Sequence, residues 1–258
     1  MGSIPQPNPV RLAILVADEP LPSVVAKLGR FDNIFTTLLR NACESLHPPQ
    51  ALESQLTLTA YNLVAGHGVD AAYPDPADID AVLITGSRHS AYADDEWILR
   101  LTAFTQRLLE EGRVRVIGVC FGHQIVARAL GAQVAQSPRG WELSVTRLEL
   151  TDEGQSLFGS ESLSIYQTHR DAVMELPPGT VSLARTEKCP IQAFYIPQQL
   201  ITVQGHPEFS PFMMGEMLQI RHQAGIIPEE PFKDAMARVS DKHDGISIAR
   251  TFLRFLRE

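Results

Sequence analysis

The chain has few cysteines, with only Cys43, Cys120 and Cys189 among 258 residues. Three widely spaced cysteines do not form a disulfide framework, and we therefore expect a reducing, cytoplasmic location. Positive charge is also scarce, because 22 Lys and Arg are outnumbered by 30 Asp and Glu, which leaves a net charge of −8. Nucleic acid is not expected as a partner, since phosphate binding needs a surplus of basic side chains.

Long apolar runs are missing as well. No stretch approaches the roughly 18 apolar residues that cross a bilayer, so a membrane is not expected as a partner. The opening MGSIPQPNPV lacks the basic and apolar segments of a signal peptide, and residues 1–9 are predicted to be a flexible tail. Residues 10–258 contain no internal repeat or low-complexity block and are interpreted as one domain.

In the first half of the chain, apolar segments typical of buried strands alternate with segments of helical spacing. The predicted strands are 10–18, 56–63, 81–86 and 113–120. The predicted helices are 31–46, with Asp32 as a candidate N-terminal cap, 94–112, with Gly112 as terminator, and 122–131. This alternation predicts an α/β fold with a central, mostly parallel sheet flanked by helices.

After residue 132 the pattern changes to short alternating strands with few helices between them. These strands predict an antiparallel extension that covers one edge of the sheet. Residues 211–225 and 245–256 are predicted to be closing helices. The methionines of the first of these, Met213, Met214 and Met217, are interpreted as core filler.

The segment GVCFGHQ places Cys120 between Gly118 and Gly122, after a predicted strand and before a predicted helix. This arrangement is typical of a nucleophile elbow, where residues without a β-carbon let strand and helix meet closely. The helix N-terminus favours the reactive thiolate, and the N–H of Phe121 could stabilise an oxyanion. The alternative is a structural cysteine buried in a tight turn.

A cysteine nucleophile needs a base, and His206 in QGHPEF is the best candidate among eight histidines. It follows a predicted strand, at the edge where open α/β sheets place their sites. Pro207 favours an extended backbone at His206, and Glu208 then lies on the same side as the imidazole. The residues predict a triad of Cys120, His206 and Glu208.

Zinc binding is the competing interpretation of the same residues. Cys120 and His123 have Cys-x-x-His spacing, and His169, His206 and Glu208 could add ligands. A structural zinc site usually offers cysteines in close pairs, which this chain lacks. No metal and no cofactor are therefore predicted.

With these residues assembled, the sequence resembles the class I glutamine amidotransferases, in the stand-alone, GMP-synthase-like form, over residues 10–225. The resemblance implies the flavodoxin-like fold of that family, with the roles given above for Cys120, His206 and Glu208. It also implies that Gly86 and Ser87 complete the oxyanion hole opposite Phe121.

The same resemblance implies a set of substrate-binding residues. Gln124 corresponds to the family glutamine that helps to hold the amino-acid end of the substrate. RGWEL (139–143) and YQTHRDAV (166–173) resemble pocket-lining segments, which makes Trp141, Glu142 and His169 binding candidates.

Two departures from the biosynthetic members concern the substrate. Gly86-Ser87-Arg88-His89 stands where those members have Gly-Gly-Pro, and this pattern looks closer to plant-type γ-glutamyl peptidases. Arg88 could meet a substrate carboxylate, although a surface arginine is the simpler interpretation. The 33 residues after 225 are too few for a synthetase domain, so any ammonia acceptor is expected to be a separate protein.

The leading hypothesis is a hydrolase that cleaves a γ-glutamyl amide through a thioester on Cys120, with a small γ-glutamyl molecule as substrate. The alternatives are a glutaminase subunit that delivers ammonia to a separate synthetase, a catalytically silent binding subunit, and a hydrolase of a non-glutamyl small molecule.

Overall fold

The first strand, β1 (Val10–Val16), shows why the centre of the sheet is apolar on both faces. Ile14 and Val16 belong to the core on one side of the sheet. Ala13 and Leu15 belong to the core on the other side. Because successive side chains of a strand point to opposite faces, a strand covered on both sides reads as one continuous apolar run.

The computed structural model describes residues 8–64 and 72–258. The remaining strands are β2 (Leu56–Asn62), β3 (Ala81–Ile84), β4 (Arg115–Val119), β5 (Val134–Gln136), β6 (Glu142–Leu150), β7 (Ser162–His169), β8 (Asp171–Val173), β9 (Val181–Arg185), β10 (Ala193–Ile196) and β11 (Leu200–Val203). The helices are α1 (Pro22–Leu28), α2 (Phe31–Glu44), α3 (Leu52–Gln55), α4 (Glu96–Glu111), α5 (Phe121–Ala129), α6 (Asp152–Phe158), α7 (Pro211–Gln223), α8 (Glu229–Ala237) and α9 (Gly245–Phe255).

One large sheet has the strand order β2-β1-β3-β4-β11-β10-β9-β6-β7. The pairs from β2 to β11 are parallel. The pairs from β11 to β7 are antiparallel. A small second sheet pairs β5 with β8. The predicted α/β fold, with a parallel centre and an antiparallel extension, is confirmed.

Helices cover the sheet on both faces and make it a single α/β domain. The apolar faces of α4 and α5 join one core. Those of α2 and α9 join the other. Within the described residues, no helix is both long and apolar enough to cross a membrane.

Two details of the sequence prediction change. Arg30, not Asp32, is the N-cap of α2, because the Asn33 side chain reaches back to accept the N–H of Arg30 at 3.1 Å. Asp32 lies in the first turn of this helix. The helices α1, α3, α6 and α8 were not predicted. The longest of them, α8, buries only Ala235 fully and so lacks a wide apolar face. Most of the predicted tail, residues 1–7, lies outside the described residues.

Candidate active site

Cys120 occupies the sharp turn between β4 and α5. Its φ of 52° and ψ of −101° lie outside the regions that residues with a side chain normally adopt. The flanking glycines permit this turn. A β-carbon on Gly122 would lie 2.2 Å from the carbonyl oxygen of Ile84, and one on Gly118 would lie 2.7 Å from that of Gly122. Strand and helix therefore meet as closely as the glycine spacing predicts.

The thiol of Cys120 sits at the N-terminus of α5. The N–H of Phe121 is the first of this helix and has no acceptor within it, so it is free to bind an anion. The partial positive charge of the helix end favours a thiolate over a thiol. This turn therefore places a candidate nucleophile and a candidate oxyanion donor next to each other.

His206 reaches Cys120 because β11 runs parallel to β4 and both strands end at the same edge of the sheet. The backbone N–H of His206 donates to the carbonyl of Tyr166 at 2.8 Å, and its ring stacks on Phe209. The ring Nδ1 lies 2.8 Å from Oε1 of Glu208. The other ring nitrogen, Nε2, is left for Cys120.

The pKa of His206 is strongly raised by this arrangement. Burial acts to lower it, but the charges of Cys120 and Glu208 and their hydrogen bonds outweigh burial and raise the pKa to about 10. At neutral pH the ring is therefore an imidazolium, held between Cys120 and Glu208. The three residues of the predicted triad lie in contact.

Gly86 follows β3 and brings its backbone against the same residues. A β-carbon here would lie 2.7 Å from Cε1 of His206 and 3.6 Å from Cβ of Cys120. The loop of Gly86 and Ser87 therefore approaches the thiol from the side opposite α5. This position suits the second oxyanion donor that the resemblance implies.

Cys120 lies where two cavities join. One, of about 200 Å³, has a polar wall that includes Gln124 and His169. The other, of about 460 Å³, is mainly apolar and includes His206. The apolar wall of the larger cavity consists of Leu21, Phe31, Phe209, Met217, Ile220 and Ile226. Both cavities are bordered by Ser87, Arg88, Cys120, Trp141, Thr168 and Arg221.

Glu142 does not contact either cavity, in contrast to its prediction as a binding residue. Its carboxylate accepts hydrogen bonds from His169 at 3.0 Å, Thr186 at 2.6 Å and Gln192 at 2.6 Å. Burial acts to raise its pKa, but His169 and Thr186 hold it below its usual range. The buried carboxylate is therefore used within the protein, and its role is to hold His169 at the cavity wall.

Arg88 lines both cavities, but its guanidinium is already paired. The Nε atom donates to the two carboxylate oxygens of Asp18 at 2.9 and 3.0 Å, and the backbone N–H of Arg88 donates to the same group at 2.7 Å. The hydrogen bond to Asp18 raises the pKa of Arg88, while burial opposes this rise. Arg88 thus anchors the loop after β3 to the end of β1.

Arg221 is a cation in the cleft that the sequence analysis did not identify. It donates to Oγ1 of Thr168 at 2.6 Å and lies 5.1 Å from the ring centre of Trp141. Burial lowers its pKa, and within the described part of the chain no carboxylate forms an ion pair with it. In the sequence it is one charged residue in a helical segment, which gives no signal of its own.

Two other expectations concern residues around the site. Met213 and Met214 are buried in the core, whereas Met217 is partly buried against the same core and also lines the apolar cavity. His123 points into the protein and its Nδ1 meets Oγ1 of Thr202 at 2.8 Å, with its pKa lowered by burial to about 3. The zinc set that pairs it with Cys120 is therefore not assembled. Among the described residues, potential metal ligands cluster at Glu142, His169 and Cys189 instead.

Comparison with known proteins agrees with this geometry. The model of the family "Glutamine amidotransferase class-I" matches residues 56–221, which include Cys120, His206 and Glu208. The chain belongs to the class I glutamine amidotransferase family.

Relatives and solved structures of this family cover most of the chain. A glutamine amidotransferase-like protein of Schizosaccharomyces pombe is 34% identical over 96% of this chain and 98% of its own length. Gamma-glutamyl peptidase 3 of Arabidopsis thaliana is 31% identical over 58% of this chain and 64% of its own length. A crystal structure of a glutamine amidotransferase from Thermotoga maritima superposes with a TM-score of 0.70 at 16% identity, covering 96% of this chain and 99% of the other. That structural likeness establishes the shared fold.

Proposed function

We propose that this protein is a cysteine-dependent hydrolase that cleaves γ-glutamyl amide bonds through a glutamyl thioester. The observation that carries the proposal is the contact of Cys120, at a strained helix N-terminus, with an imidazolium that Glu208 orients. The family and the γ-glutamyl peptidases among the relatives support the substrate class.

In the first half of the reaction, the thiolate of Cys120 attacks the γ-carbonyl carbon and a C–S bond forms. The π electrons of the carbonyl move to its oxygen, which the N–H groups of Phe121 and of the Gly86–Ser87 loop stabilise. The C–N bond then breaks, and the departing nitrogen takes the proton of Nε2 of His206. The products are an amine and a glutamyl thioester.

In the second half, neutral His206 takes a proton from water, and the hydroxide adds to the thioester carbon. The C–S bond breaks, and the electrons return to Cys120 as thiolate, so glutamate leaves and the imidazolium is restored. Glu208 holds the ring in one orientation and stabilises its charged form in both halves.

The two cavities support a placement for each end of the substrate. Since His206 must protonate the departing nitrogen, the leaving portion lies in the cavity that His206 borders, which is the larger, apolar one. The glutamyl amino and carboxylate groups then lie in the polar cavity beside Gln124 and His169. Ammonia is too small to need a cavity of about 460 Å³, so this shape favours an amine with an apolar group over free glutamine.

A carboxylate on the leaving portion would have Arg221 as its partner. Arg88 already has Asp18, whereas Arg221 borders the cleft and forms no ion pair with the residues described here. A bidentate contact between guanidinium and carboxylate is among the strongest polar contacts available to a substrate. This favours Arg221, rather than Arg88, for the carboxylate contact that the sequence suggested.

The test measures glutamate release by the purified chain, without partner proteins, from glutamine, γ-glutamyl-glycine and γ-glutamyl-leucine. We expect kcat/KM to rise in that order, and Cys120→Ala serves as the control for contaminating activity. Turnover of glutamine alone would contradict the peptidase assignment and favour a glutaminase subunit. No turnover of any of the three, with Cys120 unmodified by a glutamine-like electrophile, would favour a binding subunit.

A further inference from the structure

A chain of hydrogen bonds runs from a backbone carbonyl to the sulfur of Cys120, and its direction can be derived. The carbonyl of Asp171 can only accept, so the atom of Gln124 that lies 2.9 Å from it must be the amide nitrogen Nε2. The second hydrogen of that nitrogen points to Gln204, 2.9 Å away, where only an oxygen can receive it. Gln204 therefore turns its oxygen to Gln124.

This orientation leaves the amide nitrogen of Gln204 facing Cys120, with 3.5 Å between Nε2 and Sγ. Gln204 is fully buried and its backbone N–H is fixed to the carbonyl of Gln192 at 2.8 Å, so its side chain has little freedom to turn away. An amide N–H is a donor only, and a thiolate is a much better acceptor than a thiol.

We infer that Gln204 is a hydrogen-bond donor to the nucleophile, which stabilises the thiolate of Cys120 and directs its sulfur towards the substrate carbonyl. This inference rests on the proposed function, in which Cys120 is the attacking group. Gln204 acts on the sulfur from the protein side, while His206 acts on it from the side of the apolar cavity.

Other charged groups also act on this sulfur and have to stay constant in a test. His206, with Glu208 behind it, faces Cys120 from the segment after β11, and Arg221 faces it from α7. Cys189 lies close enough for its charge to interact with that of Cys120. A substitution of Gln204 leaves all four in place, so a change in the titration of Cys120 can be assigned to the amide.

The experiment measures alkylation of Cys120 by iodoacetamide in the full chain, from pH 4 to pH 9, with the modified peptide quantified by mass spectrometry. Gln204→Met keeps the length and burial of the side chain but removes the donor, and Gln204→Glu turns a negative oxygen towards the sulfur. Gln167→Met is the matched control, because Gln167 is an equally buried amide that donates to Gln192 instead.

We expect the pH of half-maximal alkylation to rise by about one unit in Gln204→Met, which is roughly a tenfold lower rate at a fixed pH below the midpoint. Gln204→Glu should shift it further. All rates should converge at high pH, where the thiol is ionised without help. Gln167→Met should follow the wild type.

Unshifted profiles for both Gln204 variants would overturn the inference, as would equal shifts in Gln204→Met and Gln167→Met. If the Gln204 variants do not fold, Gln124→Met tests the same series of hydrogen bonds, because it removes the donor that orients Gln204. We expect a smaller shift in the same direction. Alkylation does not depend on γ-glutamyl turnover, so failure of the proposed function and failure of this inference give different results.

Discussion

The protein contains two buried groups of one cysteine, one histidine and one glutamate. Cys120, His206 and Glu208 form one, and Cys189, His169 and Glu142 form the other. The distance from imidazole nitrogen to carboxylate oxygen is similar, 2.8 Å in the first and 3.0 Å in the second.

The two imidazoles differ in whether one of their ring nitrogens is available to the thiol of the same group. Nδ1 of His169 lies 3.0 Å from the carbonyl of Asp171, and its Nε2 lies 3.0 Å from Glu142, so both nitrogens already have acceptors. In His206 only Nδ1 is used by the carboxylate, and Nε2 is left for the thiol. His169 therefore cannot act as a base towards Cys189.

The surroundings of the two thiols also differ, and again they favour Cys120. Burial, followed by the charge of Glu142, raises the pKa of Cys189 to about 12, and its Sγ lies 3.5 Å from the carbonyl of Ile191. Cys120 instead sits at a helix N-terminus and opens to both cavities. Proximity of the three residue types is therefore not sufficient for a nucleophile, which also needs a free base nitrogen, a stabilised thiolate and access to substrate.

The most direct way to break this comparison is to remove each thiol in turn. Cys120→Ala should lower kcat for γ-glutamyl hydrolysis by about 10³-fold or more, because no other group can form the thioester. Cys189→Ala should stay within about threefold of the wild type. Steady-state glutamate release measures both, and a larger loss in Cys189→Ala than in Cys120→Ala would reverse the assignment of the two groups.

Substitution of the two carboxylates, Glu208 and Glu142, should give the next largest difference in activity. Glu208→Gln should lower kcat by about 10²-fold or more with little change in KM, because the amide neither fixes the ring of His206 in the right tautomer nor stabilises its charge. Glu142→Gln should act mainly on KM, because His169 lines the polar cavity in which we propose that the glutamyl end binds. An unchanged kcat in Glu208→Gln would remove this residue from the mechanism.

Substitution of the two arginines of the cleft, Arg221 and Arg88, should have a smaller effect, on KM. Arg221→Gln should raise KM for γ-glutamyl dipeptides by about tenfold and leave the KM for a substrate with an amidated leaving portion unchanged. Arg88→Gln should change both KM values by the same factor, because it loosens the loop that Asp18 holds. If Arg221→Gln raises both KM values equally, Arg221 does not bind a carboxylate, and the proposed place of the leaving portion is wrong.

The charged state of His206 predicts the smallest effect, on stability. Its pKa is raised to about 10, above the value of about 6.5 for an unfolded histidine. The charged ring therefore stabilises the fold fully below about pH 6.5, and this contribution is lost as the pH rises through about 10. Between pH 7 and pH 10 the Tm of the wild type should fall by several degrees more than that of His206→Gln, because most of this contribution is lost over that interval. Calorimetry measures this difference, and parallel curves would show that the ring is neutral.

The sequence by itself determined the parts of the candidate site that are local in the chain. Gly118, Cys120 and Gly122 specify a tight turn between strand and helix, because only glycine allows the approach seen at Ile84. His206 and Glu208 are two residues apart, and Pro207 between them favours an extended backbone at His206. This local conformation is enough to place both side chains on the same side of the segment. The apolar and alternating segments likewise predicted the parallel and antiparallel halves of the sheet.

Only the tertiary structure decided which polar groups are already occupied. Asp18 pairs with Arg88 seventy positions away, Gln124 meets Gln204 at a separation of eighty, and Glu142 meets Gln192 at fifty. No local pattern encodes such contacts, because they depend on strand order and on which side chains are buried against each other. Burial favours partners inside the protein for most polar atoms, and these partners distinguish the surroundings of Cys120 from those of Cys189.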